Sequence, residues 1–345
     1  MKTICLLLEC CVMIVWPMYG QTGSVVRIRT EVGRFWLERN GTPFFAKGAV
    51  GYDRLGLLRG CGANSVRTGT GKLDDAEKNG LTVLARLPIG NQRLGFYYAN
   101  GENVAAQLDR NRATVRNYKD HPAVLLWAIG NEMEINTTPQ QRIPVWKAVN
   151  QMAEMVHQED PNHPVITVIG GQYKDMLHEL VMQCPALDAI GLNAYVDMMT
   201  LPEDVRRAGW TKAYLITEFG PRGHWQVKKT RWRLPIEDSS SEKADFYLKA
   251  YEHAVAGQPQ CLGAYAFYWA SKQEKTHTWY GMFLPDGSRT EAIDVMTKVW
   301  TGQWPTNRCP PGLASGKSRR SRKMTPRQER PASLLLARNC NAGLM

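Results

Sequence analysis

The chain has 345 residues, 43% of them hydrophobic, and a formal net charge of +11 at neutral pH. This length allows one large α/β barrel or two ordinary domains. From Gly316 onward, eight Lys or Arg residues accompany a single acid, Glu329, so that +7 of the charge lies there and +4 in all that precedes it. We therefore expect no nucleic-acid binding by the main domain, although the net charge of the whole chain is typical of such proteins.

Residues 1–20 have the pattern of a secretory signal peptide. Lys2 precedes an apolar run from Ile4 to Trp16, and small residues follow at Gly20 and Gly23. The run is too short to cross a bilayer as a helix of the mature protein, and no later stretch is apolar for long enough. The sequence therefore predicts a secreted or periplasmic protein without a transmembrane segment.

The next segment, residues 24–43, predicts a short β-hairpin, in which Asn40-Gly41 supplies the positive φ angles of a tight turn. Eight apolar runs of strand length follow, with helix-period segments between most of them. The runs are FFAKGAVG, NSVRTG, LTVLARLPIG, AVLLWAIGNE, PVITVIGG, LDAIGLNAY, AYLITEFG and LGAYAFYWA. Continuous rather than alternating apolar runs are typical of parallel strands buried on both faces. The fold class is therefore predicted as α/β, a (β/α)8 TIM barrel over residues 44–304.

A doubly wound sheet is the alternative arrangement for alternating strands and helices. Such a sheet usually has a glycine-rich phosphate-binding turn after its first strand. The nearest candidate is RTGTGK, residues 67–72, but Val66 stands where a P-loop needs its first glycine and Leu73 where it needs Ser or Thr. The barrel is preferred on this ground.

The remaining sequence gives no cofactor signal. Five cysteines follow the predicted signal peptide, widely spaced and without a Cys-x-x-Cys pair, so they predict neither a metal site nor a disulfide framework, and a single bridge stays open. Residues 312–345 are rich in Arg and Ser and lack a hydrophobic period, which predicts a disordered basic tail. We expect no cofactor and no metal, and the sequence leaves the oligomeric state open.

Two of the predicted strands end in glutamate. On the barrel interpretation the carboxyl ends of the strands face the catalytic end. The fourth strand ends at Asn131 and Glu132, and the seventh ends at Glu218 on the opposite side of the barrel. Glycoside hydrolysis needs a carboxylic acid that protonates the leaving oxygen and a carboxylate on the other side of the sugar. Glu132 and Glu218 are the predicted pair, and Glu134 is a weaker rival of Glu132.

The motifs WAIGNE and ITEFG resemble the acid/base and nucleophile motifs of retaining glycosidases of clan A. The nearest resemblance is to the TIM-barrel domain of glycoside hydrolase family 2, over roughly Arg34 to Trp304. This resemblance implies that Glu132 is the general acid/base and Glu218 the nucleophile. Members of the family carry β-sandwich domains ahead of the barrel, whereas here only the hairpin segment precedes it, which leaves endo and exo action open.

The same resemblance implies substrate-binding or supporting roles for other residues at strand ends. Asn131 would hold the sugar 2-hydroxyl, Tyr195 would donate a hydrogen bond to the nucleophile, and Arg67 would lower the pKa of the nucleophile by its positive charge. Asn193, at the end of the sixth strand, is a further candidate, for which a structural role is equally consistent with the sequence.

Aromatic residues after the strands are candidates for stacking on sugar rings. Trp269, after the eighth strand, is the first choice and Trp225 the second, while most of the others are expected to pack in the core. The segment from Gly220 to about Glu242 is too long for a simple connection and is expected to shape the cleft. It also carries basic residues that either favour an acidic glycan or form a solvated face: Lys228, Lys229, Arg231 and Arg233.

The sequence thus predicts a secreted retaining β-glycoside hydrolase that cleaves a β-linked polysaccharide or oligosaccharide by double displacement. Two alternatives remain. A glucanosyltransferase-type transglycosylase would use the same glutamates and exclude water, and a non-catalytic barrel would bind carbohydrate without turnover. The complete acid/base pair argues against the second alternative, because a binding protein does not need both carboxylates.

Overall fold

The computed structural model describes residues 23–171 and 173–310. The predicted signal peptide (1–20) and basic tail (312–345) lie outside these residues. Eight parallel strands form a closed barrel: β4 (Ala46–Val50), β5 (Ser65–Gly69), β6 (Thr82–Leu87), β7 (Val124–Ile129), β8 (Val165–Gly170), β9 (Ala189–Ala194), β10 (Ala213–Phe219) and β11 (Cys261–Ala266). All eight predicted runs are barrel strands, and the predicted TIM-barrel fold is confirmed.

Helices follow the strands and cover the outside of the barrel. They are α1 (Leu55–Gly60), α2 (Leu73–Lys78), α3 (Gly101–Tyr118), α4 (Pro139–Glu159), α5 (Tyr173–Gln183), α6 (Leu201–Arg207), α7 (Ser240–Ala254) and α8 (Glu291–Thr301). Every residue of β7, β9 and β11 is buried, because one face of each strand lines the barrel interior and the other packs under the helices. This double burial explains the continuous apolar runs in the sequence.

Two long helices begin at capping boxes. The side chain of Thr138 accepts from the backbone N–H of Gln141 at the start of α4, and Ser239 does the same for Glu242 at the start of α7. A cap of this kind stabilises a helix by about 1 kcal/mol relative to alanine. The caps fix where each helix starts and therefore the length of the loop that joins it to the catalytic end of the preceding strand.

The N-terminal segment forms the predicted hairpin, β2 and β3, and a further strand, β1, extends it to a three-stranded antiparallel sheet. Its strands are β1 (Val26–Glu31), β2 (Arg34–Arg39) and β3 (Thr42–Phe44). The expected turn at Asn40-Gly41 is present, with φ angles of 50° and 76°. A second turn of the same kind, at Val32-Gly33 with φ angles of 48° and 75°, joins β1 to β2. Sequence reasoning missed β1 because a β-branched residue rarely adopts a positive φ.

A buried hydrogen-bonded chain fixes the N-terminal segment at the amino-terminal end of the barrel. The Oγ of Ser24 donates to the carbonyl of Val124 and lies 2.8 Å from His163 Nε2, and His163 Nδ1 lies 2.8 Å from Asp160 Oδ2. This is the residue order of a Ser-His-Asp triad. All three side chains are buried, however, and Asp160 also accepts a hydrogen bond from the indole of Trp127. A substrate cannot reach the hydroxyl, so the chain has a structural role.

Two sequence expectations concern features of the whole chain. Within residues 23–171 and 173–310, no helix combines the length and apolar character needed to cross a bilayer. Of the cysteines, Cys61, Cys184 and Cys261 are buried free thiols, so none of these three forms the single bridge that the sequence left open.

Candidate active site

The carboxyl ends of four barrel strands bring the predicted site residues together. Arg67 comes from β5, Asn131 and Glu132 follow β7, Asn193 ends β9, and Glu218 lies near the end of β10. The parallel pairing aligns Asn193 with Glu218. Because these side chains all lie at the carboxyl end of the barrel, they form one polar network across its mouth.

A buried ion pair holds the Glu218 carboxylate. Arg67 Nη1 lies 2.6 Å from Glu218 Oε1, and the two side chains are only 6% and 12% exposed. The same guanidinium donates to the carbonyl of Thr217 at 3.0 Å and to Asn131 Oδ1 at 2.6 Å. The guanidinium is thereby fixed, and it forms a charge-assisted hydrogen bond with the Glu218 carboxylate.

The second oxygen of the same carboxylate is also held. The hydroxyl of Tyr195 donates to Glu218 Oε2 at 3.0 Å. Burial, together with the negative charge of Glu218, raises the pKa of Tyr195 well above its usual value, so the phenol keeps its proton and remains a donor. With one donor on each oxygen, the carboxylate is oriented before any substrate binds, as a nucleophile requires.

Glu132 lies in a different environment. Asn193 Nδ2 donates to Glu132 Oε1 at 2.9 Å and to Asn131 Oδ1 at 3.1 Å. Burial raises the pKa of Glu132, the charge of Glu218 raises it further, and the hydrogen bond from Asn193 opposes this shift. One glutamate therefore pairs with an arginine, whereas the other favours its protonated form. Such contrasting surroundings are typical of an acid and a nucleophile in a pair of carboxyl groups.

The backbone at Glu132 is adapted to this position. Its φ angle is 50°, in the left-handed region that non-glycine residues rarely adopt, and it follows Gly130 at 65°. A side chain on Gly170, at the end of β8, would place its Cβ 2.7 Å from Glu132 Oε1. The glycine therefore leaves the space that the carboxyl group occupies.

Within residues 23–171 and 173–310, the side chain of Asn131 is bound through its oxygen. Its Oδ1 accepts from both Arg67 and Asn193, so its N–H donors are the part of the amide available to a sugar hydroxyl. The hydroxyl of Thr217 donates to Asn193 Oδ1 at 2.8 Å, which orients the second amide. Thr217 was not among the predicted residues, because a threonine inside an apolar strand resembles any other buried strand residue.

Glu134 does not join the pair. Its Oε1 accepts from the backbone N–H of Gly170 at 2.7 Å, and its Oε2 is buried without a hydrogen-bond partner among the described residues. Burial is the largest cause that raises the pKa of Glu134 to about 7. This carboxyl group ties the segment after β7 to the end of β8 and places Glu132 indirectly.

The raised pKa of Glu134 predicts a pH-dependent loss of stability. Between the value of 4.5 expected without burial and the folded value of about 7, the unfolded chain releases this proton while the folded chain keeps it. The free energy of unfolding should therefore fall over this range by about 3 kcal/mol and stay level above it. Glu134→Gln cannot ionise and should lack that decline, as urea unfolding from pH 5 to 8 will measure.

The matched control is the exposed Glu154 on α4. Glu154→Gln should keep the pH dependence of the parent protein, because its carboxyl group is in water. If Glu134→Gln shows the same decline as Glu154→Gln, Glu134 does not hold a proton in the folded state near neutral pH.

The two predicted stacking residues occupy different places. Trp225 is 58% exposed, and its ring lies 6.0 Å from that of Tyr195, beside the catalytic network. Trp269 is fully buried after β11, packed against Phe283 and Trp300. The prediction that Trp269 stacks on a sugar is therefore wrong, because core residues enclose its ring and leave no face exposed. Trp225 remains an exposed aromatic surface beside the site that a sugar can reach.

Tyr280 is a site residue to which sequence reasoning gave no role. Its ring lies 5.2 Å from that of Tyr195, and its buried hydroxyl has no hydrogen-bond partner within residues 23–171 and 173–310. Burial raises its pKa, and the charges of Glu274, Glu218 and Glu132 add to the effect, so it stays protonated. It is therefore a protonated, buried hydroxyl beside Tyr195, close to the two glutamates but enclosed by its surroundings.

A closed (β/α)8 barrel with two glutamates at opposed strand ends, held in contrasting environments, has the architecture of a glycoside hydrolase. Comparison with known proteins agrees with this class. The chain belongs to glycosyl hydrolase family 2: the model of its TIM barrel domain matches residues 55–234.

Individual relatives are more distant. A β-glucuronidase of Paenibacillus borealis is 25% identical over 174 residues, which cover 41% of this chain and 27% of that protein. The β-D-glucuronidase of Dictyoglomus thermophilum has a TM-score of 0.60 at 18% identity, covering 81% of this chain and 54% of that one. A family 2 β-galacturonidase of Eisenbergiella tayi, bound to galacturonate, has a TM-score of 0.59 at 19% identity with the same coverage. The chain thus spans about a quarter of the curated relative and about half of these structures.

Proposed function

We propose that this protein is a secreted retaining β-glycoside hydrolase that cleaves a β-linked polysaccharide or oligosaccharide by double displacement. The observation that carries the proposal is the contrast between the two glutamates. Glu218 is oriented by Arg67 and Tyr195 in a form suited to attack. Glu132 is half-buried in the same polar network and has a raised pKa.

In the first step, a carboxylate oxygen of Glu218 attacks the anomeric carbon while the bond from that carbon to the leaving oxygen breaks. The proton of Glu132 goes to the leaving oxygen, so the aglycone departs neutral and the sugar stays attached to Glu218 as an ester. Asn131 donates to the hydroxyl next to the anomeric carbon, a contact that strengthens as positive charge develops on the ring.

In the second step, Glu132 is ionised and acts as a base. It removes a proton from a water molecule, whose oxygen attacks the anomeric carbon and breaks the ester to Glu218. The sugar leaves with its original configuration, and both glutamates return to their starting protonation states. Formation of the ester removes the negative charge of Glu218. The pKa of Glu132 is therefore lower in that intermediate, which favours its role as a base.

The relatives named above include proteins called β-glucuronidase and β-galacturonidase, so β-linked uronides belong in any substrate panel. The test is covalent labelling with cyclophellitol-type epoxides and aziridines of gluco, galacto, manno and glucurono configuration, followed by peptide mass mapping. We expect an adduct on Glu218 from the probe whose sugar fits. Glu154→Gln, which changes an exposed carboxyl group on α4, should be labelled like the parent protein, and Glu218→Gln should not.

An adduct on another carboxyl group would remove Glu218 from the role of nucleophile. If no probe reacts while oligosaccharides still bind, the carbohydrate-binding barrel becomes the better explanation. Product analysis with the reactive sugar then separates hydrolysis from transglycosylation, because transfer yields oligosaccharides longer than the substrate.

A further inference from the structure

The loop between β10 and α7 contains an ordered β-hairpin, residues 228–236, which we call the basic hairpin. The backbone N–H of Thr230 donates to the carbonyl of Leu234 at 2.8 Å, and that of Ile236 donates to Lys228 at 2.9 Å. Arg233 occupies the turn with a φ of 64°. These bonds fix the backbone of the basic hairpin and thereby the relative positions at which its side chains begin.

Four exposed cations lie on the basic hairpin: Lys228, Lys229, Arg231 and Arg233. None of them forms a salt bridge with an acid of residues 23–171 or 173–310. The acids that follow in the chain are already engaged, because Glu237 pairs with Lys243 and Asp238 accepts from Arg222 Nε at 2.9 Å. The fold thus holds four like charges together without supplying a counter-charge.

The same hairpin exposes a large apolar surface. Trp232 is 67% exposed, and the guanidinium of Arg231 lies 4.0 Å from the centroid of its ring. Leu234 and Ile236 are 62% and 50% exposed. A merely solvated charged face does not need an exposed tryptophan, whereas a sugar presents C–H groups that pack on such a ring.

The position of the hairpin connects it to the catalytic site. Trp225 belongs to the same loop, and its ring contacts that of Tyr195, which donates to Glu218. The carbonyl of Arg222 accepts from the indole of Trp279, so the base of the loop is attached to the segment after β11. Only Gln226 and Val227 separate Trp225 from Lys228, the first residue of the basic hairpin.

We propose that the basic hairpin is a docking site for an acidic oligosaccharide or polysaccharide chain. Carboxylate or sulfate groups of the glycan pair with the lysines and arginines, and one of its sugar rings packs against Trp232. Trp225 contacts the part of the glycan that leads to the glutamates. The inference rests on the proposed glycosidase function for the identity of the ligand. A glycan is preferred over another polyanion because Trp225 continues the surface into the site.

The test compares the full-length parent protein with a hairpin variant carrying Lys229→Gln, Arg231→Gln and Arg233→Gln. Binding isotherms are measured with hyaluronan oligosaccharides, chondroitin sulfate oligosaccharides and cello-oligosaccharides of equal length. We expect the hairpin variant to bind one or both acidic ligands about tenfold more weakly, a loss that shrinks as salt is added, and the neutral ligand unchanged. Hyaluronan and chondroitin sulfate together separate carboxylate from sulfate recognition.

A control variant removes the same charge from exposed positions on α2, α3 and α4: Lys78→Gln, Arg110→Gln and Lys147→Gln. It should bind all ligands within twofold of the parent protein. Both variants retain the basic residues after Gly316, so that segment does not explain a difference between them. Equal binding by the two variants, or oligodeoxythymidylate bound as tightly as the acidic glycans, would overturn the proposal.

Failure of the glycosidase proposal has a different signature. It would leave the parent protein unlabelled by every cyclophellitol probe, while the dependence of acidic-glycan binding on the basic hairpin persisted. Conversely, labelling of Glu218 in both variants with no difference in binding would leave the catalytic proposal intact and remove the docking site.

Discussion

Replacement of Glu218 by glutamine is expected to lower kcat by about 10⁴-fold or more. Glutamine keeps the shape and can still accept from the hydroxyl of Tyr195, but an amide does not form the glycosyl ester. The substitution also leaves the buried Arg67 without its counter-charge at 2.6 Å. Loss of one partner of a buried pair destabilises a protein by about 3–5 kcal/mol, so a lower melting temperature should accompany the loss of activity.

Turnover of an aryl β-glycoside measures the effect, with thermal unfolding to confirm that the variant is folded. Glu179→Gln is the matched control, since it removes the counter-charge of another largely buried arginine, Arg142, without touching the network at the strand ends. In Glu218→Ala, added azide should enter the vacated space and give the α-glycosyl azide by a single displacement. Activity of Glu218→Gln close to that of the parent protein would exclude this residue as nucleophile.

The barrel was predictable because its signal is repeated. Each of the eight strands is buried on two faces and therefore appears in the sequence as an apolar run. Few folds are built from such strands in alternation with helices. The β1 strand was not predictable, because its turn depends on Val32 in a backbone conformation that sequence rules assign to glycine or asparagine. Local residue preferences do not predict this turn, because the pairing of β1 with β2 determines its conformation.

The candidate site was likewise predictable only in part. A residue at the end of a buried strand has a known direction, and the structure brings Arg67, Asn131, Asn193 and Glu218 together as the strand ends require. Beyond the strand ends, the direction of a side chain no longer follows from its position in the sequence. Trp269 lies three residues after β11, where its backbone N–H donates to Val50 and the chain turns its indole into the core.

The distinction between Glu132 and Glu134 also needed the structure. Simple alternation places both on the same side of an extended chain. The left-handed backbone at Gly130 and Glu132 breaks that alternation, and Glu134 turns to the backbone of Gly170. Tyr280 was not singled out from the other aromatic residues after the strands for a related reason, since an unpaired buried hydroxyl depends on its surroundings and cannot be recognised in the sequence.

Replacement of Glu132 by glutamine should affect substrates unequally. The acid contributes about 10²–10⁴-fold where a leaving group needs a proton. Oligosaccharides and alkyl glycosides should therefore lose that factor in kcat/KM, whereas a 2,4-dinitrophenyl glycoside, whose leaving group departs as an anion, should lose little. With the activated substrate the ester accumulates, because no base activates water, so an initial burst should precede slow steady turnover.

The pH profile of the same variant gives an independent check on the role of Glu132. Because burial raises the pKa of Glu132, the parent protein keeps the proton above the usual range of a glutamic acid, and kcat/KM should fall only as the pH rises through that elevated pKa. Glu132→Gln has no proton to lose and should lack this fall. Azide should accelerate breakdown of the ester and yield the β-glycosyl azide, the opposite anomer from that given by Glu218→Ala. The same anomer from both variants would mean that the two glutamates do not divide the roles of nucleophile and acid/base as their surroundings indicate.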